Sequence, residues 1–513
     1  MFTTRKMGKA SAALLAALSL GAGAAFAQQA VVVIEAEPTS MDPHNTTDSV
    51  SATVQGPMFE GLLRFDDSMS IVPVLATGYT YSDDATAITF ELQQGVNFHD
   101  GAYFNAEVVK MNLDFVRDAD NGLARRSFFR FIEDVIVEDD YTVTITSESP
   151  NSAMASYMAH TSAAMKSPRV IERKMADPDF NADREGAVGT GPFQFVEWRD
   201  GVQTVVEAFD GYWNADNGAN VERIVFRPVQ EASTRINMLQ AGEAHLVFPI
   251  PTLFGAQLES DDRVNLRTGP TTDVHYIGMN LQLDKYQDVK VRQALNFAID
   301  KDGLIAQMLD GYGTIADSAI APNVYGYAAQ EIYDYDMAEA RALLAEAGYA
   351  EGFTATLWTR NSTEFIAVAE YVAIQLGELG IEVTVEAYES GTLFDMLDAG
   401  EGTDLFIGRW SPGTGEADYG LRPNFASDRV PPNFNNSGFY VNEAVDDLLN
   451  RALASSDAQE ALSLYAEVQE VIYDEAPWVF LHIPESIVGS APNLDGVYVL
   501  PSGNVHVSGI SLN

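Results

Sequence analysis

The chain has 513 residues, with 74 acidic against 30 basic side chains, a formal charge of −44 and no cysteine. A hydrophobic share of 46% and a charged share of 20% fit a globular chain, and its length suits about two to four domains; they exclude disordered, collagen-like and coiled-coil classes. The missing cysteines exclude disulfide scaffolds, thiolate metal sites and a thiol nucleophile, and the charge opposes binding to nucleic acid or to an anionic membrane surface.

The first element is an address. Arg5, Lys6 and Lys9 precede an apolar run, Ser11–Leu20, and Ala25-Phe26-Ala27 follows. This pattern predicts a secretory signal peptide, residues 1–27, cut before Gln28. The run is too short to span a bilayer. No cysteine follows the cut, so the predicted product is exported to the periplasm, soluble and not a lipoprotein. Removing the segment takes away three basic residues and no acid, which makes the mature chain more negative still. Salt screens such self-repulsion, the Debye length falling from about 10 Å at 0.1 M to about 3 Å at 1 M. The charge reads either as adaptation to a saline setting or as an ordinary acidic surface.

Val31–Ile34 reads as a buried strand and Pro38–His44 as a loop. Thr86–Leu92 alternates like a half-buried strand, and Asn97–Gly101 ends in a turn signal. Asn105 is placed to cap a helix whose face is Val109, Leu113 and Val116. Two short strands are predicted in Val135–Thr146, and Gly189–Pro192 is a loop leading into the strand Phe193–Trp198. Further on, helices follow Asp288 (Val291, Leu295, Ile299) and Asp336 (Met337, Ala340, Leu344, Ala347), the second stopped by Gly348. A stripe from Phe365 to Leu379 ends at Gly380, and Ile381, Val383 and Val385 then alternate as a strand. A late helix carries Ala461, Tyr465, Val468 and Ile472, and Trp478–Ile483 is a last apolar strand. The pattern predicts two α/β lobes without repeats or long linkers.

Catalytic signatures are weak. The histidines 44, 99, 160, 245, 275, 482 and 506 show no metal-ligand spacing. His99 reads as a turn residue. Asp118–Gly122 resembles a calcium loop faintly, but Phe129 stands where the twelfth-position glutamate is needed, so a helix-ending turn is the reading. There is no P-loop and no nucleophile elbow, and Gly189–Gly191 is too short for a dinucleotide fingerprint. No metal and no cofactor are expected, and a periplasmic hydrolase is the competing class. One segment stands out: GRWSPGTGEADYGLR, Gly408–Arg422, read as a loop after the apolar strand Leu405–Ile407. Trp410 and Tyr419 offer flat walls, and Glu416 or Asp418 could hold an ammonium. The bland alternative is an ordinary charged surface loop.

An ordered set of motifs then resembles the periplasmic solute-binding proteins of peptide-type ABC transporters: SMDPH, FEGLLRFD, NFHDGAYFNAEVVKMNLD, GTGPFQFVEWRDG, GYWN, MLQAGEAHLVF and MNLQLDKYQDVKVRQALNFAIDKDGLI. Phe248–Pro251 (FPIP) and the block from Gly408 to Leu453 look like the glutathione-binding branch of that family; the dipeptide branch would carry Asp-Pro-Asp near Glu416-Ala417-Asp418. The resemblance implies a two-lobed α/β fold of type II with an extra subdomain. Domain I would be residues 28–57, 190–275 and 482–513, with residues 58–189 inserted into it. Domain II would be residues 276–481, and crossing strands near Tyr276–Asn280 and Phe480–Glu485 would form the hinge. It further implies a monomer that binds glutathione, or else a dipeptide, an oligopeptide or another small solute, and delivers it to a membrane permease without chemistry. The ligand's amine would go to Glu416 or Asp418, with Asp42 in reserve, and a carboxylate to Arg360 or Arg409. Its backbone would pair around Thr39, Ser40 and Met41 and around Trp410, Ser411 and Gly413. The absence of cysteine is consistent with a thiol ligand, which could not then be trapped as a mixed disulfide.

Overall fold

A computed structural model describes residues 28–400, 402–432 and 435–513. The signal-peptide reading of residues 1–27 lies outside them. No helix among the described residues is long and apolar enough to cross a membrane.

Capping chemistry sets many helix starts. Asn105, Asp288, Asp336 and Ser362 each accept a backbone N–H in the first turn of the helix just after them. The helix Met337–Glu346 ends at Ala347, and Gly348 comes next at φ 87°. Asp118–Gly122 is a short turn after the helix Ala106–Arg117 and closes on Gly122 at φ 61°. His99 does more than turn the chain. Its Nε2 lies 3.0 Å from the Gly191 carbonyl, and the Gly189 N–H bonds its Nδ1 at 3.3 Å. That clasp holds Gly189–Gly191 flat on Pro57-Met58, where an added Cβ would come within 2.1 Å or 2.4 Å of a backbone oxygen.

The large sheet has 12 strands. Ten of them run in the order Glu382–Tyr388, Thr354–Arg360, Leu405–Trp410, Val274–Met279, Trp478–Ser490, Leu246–Val247, Gln29–Ile34, Arg223–Pro228, Gln203–Ala208, Phe193–Arg199. Trp478–Ser490 belongs to both lobes. Up to Pro484 it pairs with Val274–Met279 and Gly313–Ile315; from Glu485 onward it pairs with Asn265–Pro270 and Leu246–Val247. The sequence pattern ends this strand at Ile483 with the apolar run, but the strand continues through Pro484 to Ser490. In the fold Pro484 stands where the strand changes partners, and its carbonyl accepts the Thr271 N–H at 2.9 Å. The companion crossing is Thr271–Asp273, earlier than the expected Tyr276–Asn280, because Val274–Met279 is already paired on both sides.

Strand direction decides where this sheet can take a ligand. Thr354–Arg360, Glu382–Tyr388 and Leu405–Trp410 are mutually parallel, and the last is antiparallel to Val274–Met279. In the other lobe Gln29–Ile34, Arg223–Pro228 and Leu246–Val247 are parallel to each other and antiparallel to the shared strand. Both parallel sets therefore aim their carboxyl ends at the crossing, where open α/β sheets bind ligands.

Part of the inserted segment forms its own antiparallel sheet of four strands, Ala76–Tyr81, Ala87–Leu92, Thr142–Ser147 and Ile132–Asp139. Phe90, Phe98, Phe104, Leu113 and Val143 fill its core. A buried ion pair fastens this segment to the loop after Gln29–Ile34: Lys166 Nζ lies 2.7 and 2.9 Å from the two Asp42 carboxylate oxygens. Asp42 is thus committed to Lys166 and is no reserve partner for a ligand amine.

Candidate binding site

Arg360 and Trp410 are the last residues of parallel strands, and Arg409 precedes Trp410. The Arg360 guanidinium lies 4.5 Å over the Phe365 ring and 5.1 Å over Phe394. Its Nε is buried and has no acceptor. Burial, and then the charge of Arg409, hold Arg360 below its ordinary pKa. Arg409 Nη1 is 3.7 Å from Asp273 Oδ2 and is 49% exposed, so the contact is loose. His275 stands opposite Arg409 in the ladder and 4.5 Å from His482, ring to ring. Burial keeps both histidines neutral, His482 down to about 4, and neither ring nitrogen of His482 has a partner. This end of the sheet brings two guanidiniums close to each other, with the Asp273 carboxylate as a loose partner to one of them.

The acids are arranged otherwise than expected. Gly408–Arg422 is not one loop: the strand runs on to Trp410, and Ala417–Phe425 is a helix, leaving only 411–416 between them. Gly420 and Pro423 disfavour a helix in sequence terms, but capping and packing prevail. Glu416 is the cap, accepting the Asp418 N–H at 2.6 Å, the Tyr419 N–H at 2.9 Å and the Thr414 hydroxyl at 3.1 Å. Gly420 lets Ile320 pack closely, an added Cβ there meeting Ile320 Cγ2 at 2.5 Å. One turn along the same helix, Arg422 grips Asp418, with Nη2 to Oδ1 at 2.7 Å and Nε to Oδ2 at 2.9 Å. Neither acid presents an open carboxylate. Glu416 has no cationic partner of its own, and burial, then the charge of Asp418, push it up to about 7.

That shift has a sign. A carboxyl whose folded pKa is raised contributes stability that is full below its ordinary pKa of 4.5 and is lost as pH rises through about 7. The melting temperature of the ligand-free protein should therefore decline over that window through this group. Glu416→Gln, which cannot ionise, should flatten the decline. Equal slopes in the two proteins would show that Glu416 is charged throughout.

Trp410 and Tyr419 do come together, their ring centroids 5.7 Å apart, and the Trp410 Nε1 is buried without an acceptor. Ser411 Oγ lies 2.6 Å from Thr272 Oγ1 and so ties the segment after Trp410 to the crossing. Thr39 and Ser40 are engaged elsewhere. The Thr39 N–H bonds Ser51 Oγ, the Ser40 hydroxyl bonds Asp183 at 2.5 Å, and the Met41 N–H bonds the Asp183 carbonyl at 2.7 Å.

The insert supplies a wall that sequence reasoning missed. The Phe128 ring lies 5.7 Å from Tyr419 and 4.7 Å from His160, and Tyr157 is 6.4 Å from Tyr419. The signal was the basic and aromatic run LARRSFFRF at 123–131. A cavity of about 870 Å³ lies elsewhere. Glu60, Arg64, Trp213 and His506 are among its lining residues, and none of residues 221–497 contributes.

The profile of the bacterial extracellular solute-binding proteins, family 5, middle region, matches residues 70–431. The chain belongs to this family. Among its family 5 relatives, the glutathione-binding protein GsiB of Pectobacterium atrosepticum is 39% identical over 481 residues, covering 93% of this chain and 92% of the relative. GsiB of Salmonella typhi is 37% identical over 497 residues, 95% of this chain and 96% of the relative. Among solved structures, HbpA2 from Haemophilus parasuis superposes with a TM-score of 0.86 at 25% identity, covering 94% of this chain and all of that one. The ABC transporter-associated periplasmic binding protein DppA from Helicobacter pylori, in complex with the peptide STSA, gives 0.76 at 26% identity, covering 94% and 98%. The fold is the two-lobed type II arrangement that the sequence motifs implied.

Proposed function

We propose that this protein is the periplasmic solute-binding component of an ABC importer, that it captures glutathione or a similar short peptide between its lobes, and that it hands the ligand to a membrane permease without chemistry. Residues 1–27 act as its signal peptide, and the mature chain works as a monomer. One observation carries the reading. Where the parallel strands end at the crossing, Arg360 Nε and Trp410 Nε1 are buried donors with no acceptor, and Arg409 stands beside them with only a loose ion pair. Buried donors go unpaired at a cost of about 1–3 kcal/mol each, and a ligand carboxylate or peptide carbonyl would satisfy them. The names of the GsiB relatives favour glutathione among such ligands.

The test is a thermal-shift panel of reduced and oxidised glutathione, γ-glutamyl peptides, dipeptides and sugars. A ligand that binds only the folded state adds about 2.7 kcal/mol at a hundredfold excess over Kd. Glutathione or a γ-glutamyl peptide should shift the melting curve and a sugar should not. A flat panel, together with turnover of a peptide or ester, would move the chain to the hydrolase class.

A further inference from the structure

Glutathione carries two carboxylates, and the strand ends of domain II account for one. We propose that Arg125, carried by the insert, holds the second, so that a ligand with a carboxylate at each end is clamped between the insert and domain II. This rests on the function proposed above and adds a residue to it.

The geometry around Arg125 is that of a held but unspent guanidinium. Its Nε donates to the Thr46 carbonyl, which fixes the side chain on domain I. Its Cζ lies 5.1 Å over the Phe128 ring, so one face of the fork is covered. Among the described residues its two terminal nitrogens have no hydrogen-bond partner and it forms no ion pair. The nearby Asp48 accepts the Ser51 N–H at 2.8 Å and the Ser51 and Thr39 hydroxyls at 2.9 and 2.8 Å, and makes no ion pair with Arg125. In a chain with 74 acids to 30 bases, a half-buried arginine left without a carboxylate is notable. Tyr419, on the helix Ala417–Phe425, lies beside the Phe128 ring, its own ring 5.7 Å from it.

The route from Arg125 to the other cationic end is aromatic. It passes from Phe128 to Tyr419, 5.7 Å between centroids, and from Tyr419 to Trp410, again 5.7 Å. An extended tripeptide spans roughly 10 Å and would lie along these rings, with one carboxylate toward Arg125 and the other toward Arg360 and Arg409. A planar fork suits a carboxylate, which it can bind with two parallel hydrogen bonds.

Calorimetry tests this with glutathione, its glycine amide, its glutamyl α-amide and a panel of short acidic peptides with their terminal amides. Arg125→Met should weaken glutathione binding by about thirtyfold or more. It should also lose the wild-type preference for free acid over amide at one of the two carboxylates while keeping it at the other. Arg125→Lys, which keeps the charge without the fork, should recover part of the affinity. The ligand-free melting temperature should fall only slightly in either variant, since Arg125 gives up its bond to the Thr46 carbonyl and its contact with Phe128 but no ion pair. If Arg125→Met binds glutathione within about threefold of wild type, or still distinguishes acid from amide at both ends, the assignment is overturned. If wild type ignores glutathione but binds an acidic peptide in an Arg125-dependent way, Arg125 stands and glutathione falls.

Discussion

Lys166→Met is expected to destabilise the ligand-free protein by about 3–5 kcal/mol, because it leaves Asp42 as an unpaired buried carboxylate. Both partners of the pair are about as buried as any in the molecule, Lys166 1% and Asp42 2% exposed. Burial alone would push the Asp42 carboxyl up; Lys166, with His44, more than offsets it and holds the group below its ordinary 3.8. A depressed carboxyl contributes stability that is present above 3.8 and is lost as pH falls through the folded value. The variant inverts this. Without the ammonium, burial dominates, the Asp42 pKa rises, and the deficit relative to wild type should shrink as the solution is acidified toward that raised value. Lys166→Met combined with Asp42→Asn should recover most of the loss, since no charge is then left unpaired. Denaturant and limited-proteolysis titrations at pH 7 and pH 5 measure all three proteins. A double variant as unstable as the single one would show that the lysine acts through packing, for instance on Phe115, whose ring lies 5.0 Å from its Nζ.

Arg360→Met should act in the opposite sense on the two forms of the protein. Ligand affinity should fall by about thirtyfold or more, the cost of removing one partner of a buried charge pair being about 2–5 kcal/mol. The ligand-free form should be no less stable than wild type. It loses an unpaired buried Nε and the repulsion of Arg409, and it keeps an apolar stem over Phe365 and Phe394. Calorimetry with glutathione and melting curves with and without ligand separate the two effects. A ligand-free melting temperature that drops along with affinity would make Arg360 a structural residue. Affinity within about threefold of wild type would move the carboxylate site away from the strand ends.

Much of the fold was legible because its signals are local. Asn105, Asp288 and Asp336 start helices by accepting backbone N–H groups a few residues away, and Gly348 closes one of those helices at a φ that favours glycine. Arg360 and Arg409 were legible as site candidates because each comes at the end of an apolar strand. The acids were legible as a pair, but their partners were not. Asp418 and Arg422 meet only because they lie four apart on a helix, and reading that stretch as a loop concealed the contact. Arg125, Phe128 and Tyr157 were invisible as site residues for another reason. The run LARRSFFRF marks 123–131 as basic and aromatic, but the rings of Phe128 and Tyr157 meet Tyr419 only once distant segments pack together, and nothing local records that meeting.

The strand shared by the two lobes has a consequence for the order in which the molecule can assemble. Trp478–Ser490 separates Leu246–Val247 from Asn265–Pro270 in one lobe and Val274–Met279 from Gly313–Ile315 in the other. It comes from late in the chain, while the strands it joins come from the middle. Until it arrives each sheet is in two pieces, and neither lobe can complete its hydrogen-bond ladder ahead of the other. Such distant pairings make for slow, late-committing folding. The nascent chain is thereby kept from closing either lobe early, and the geometry of the cleft is set in a single terminal step that fixes both halves together.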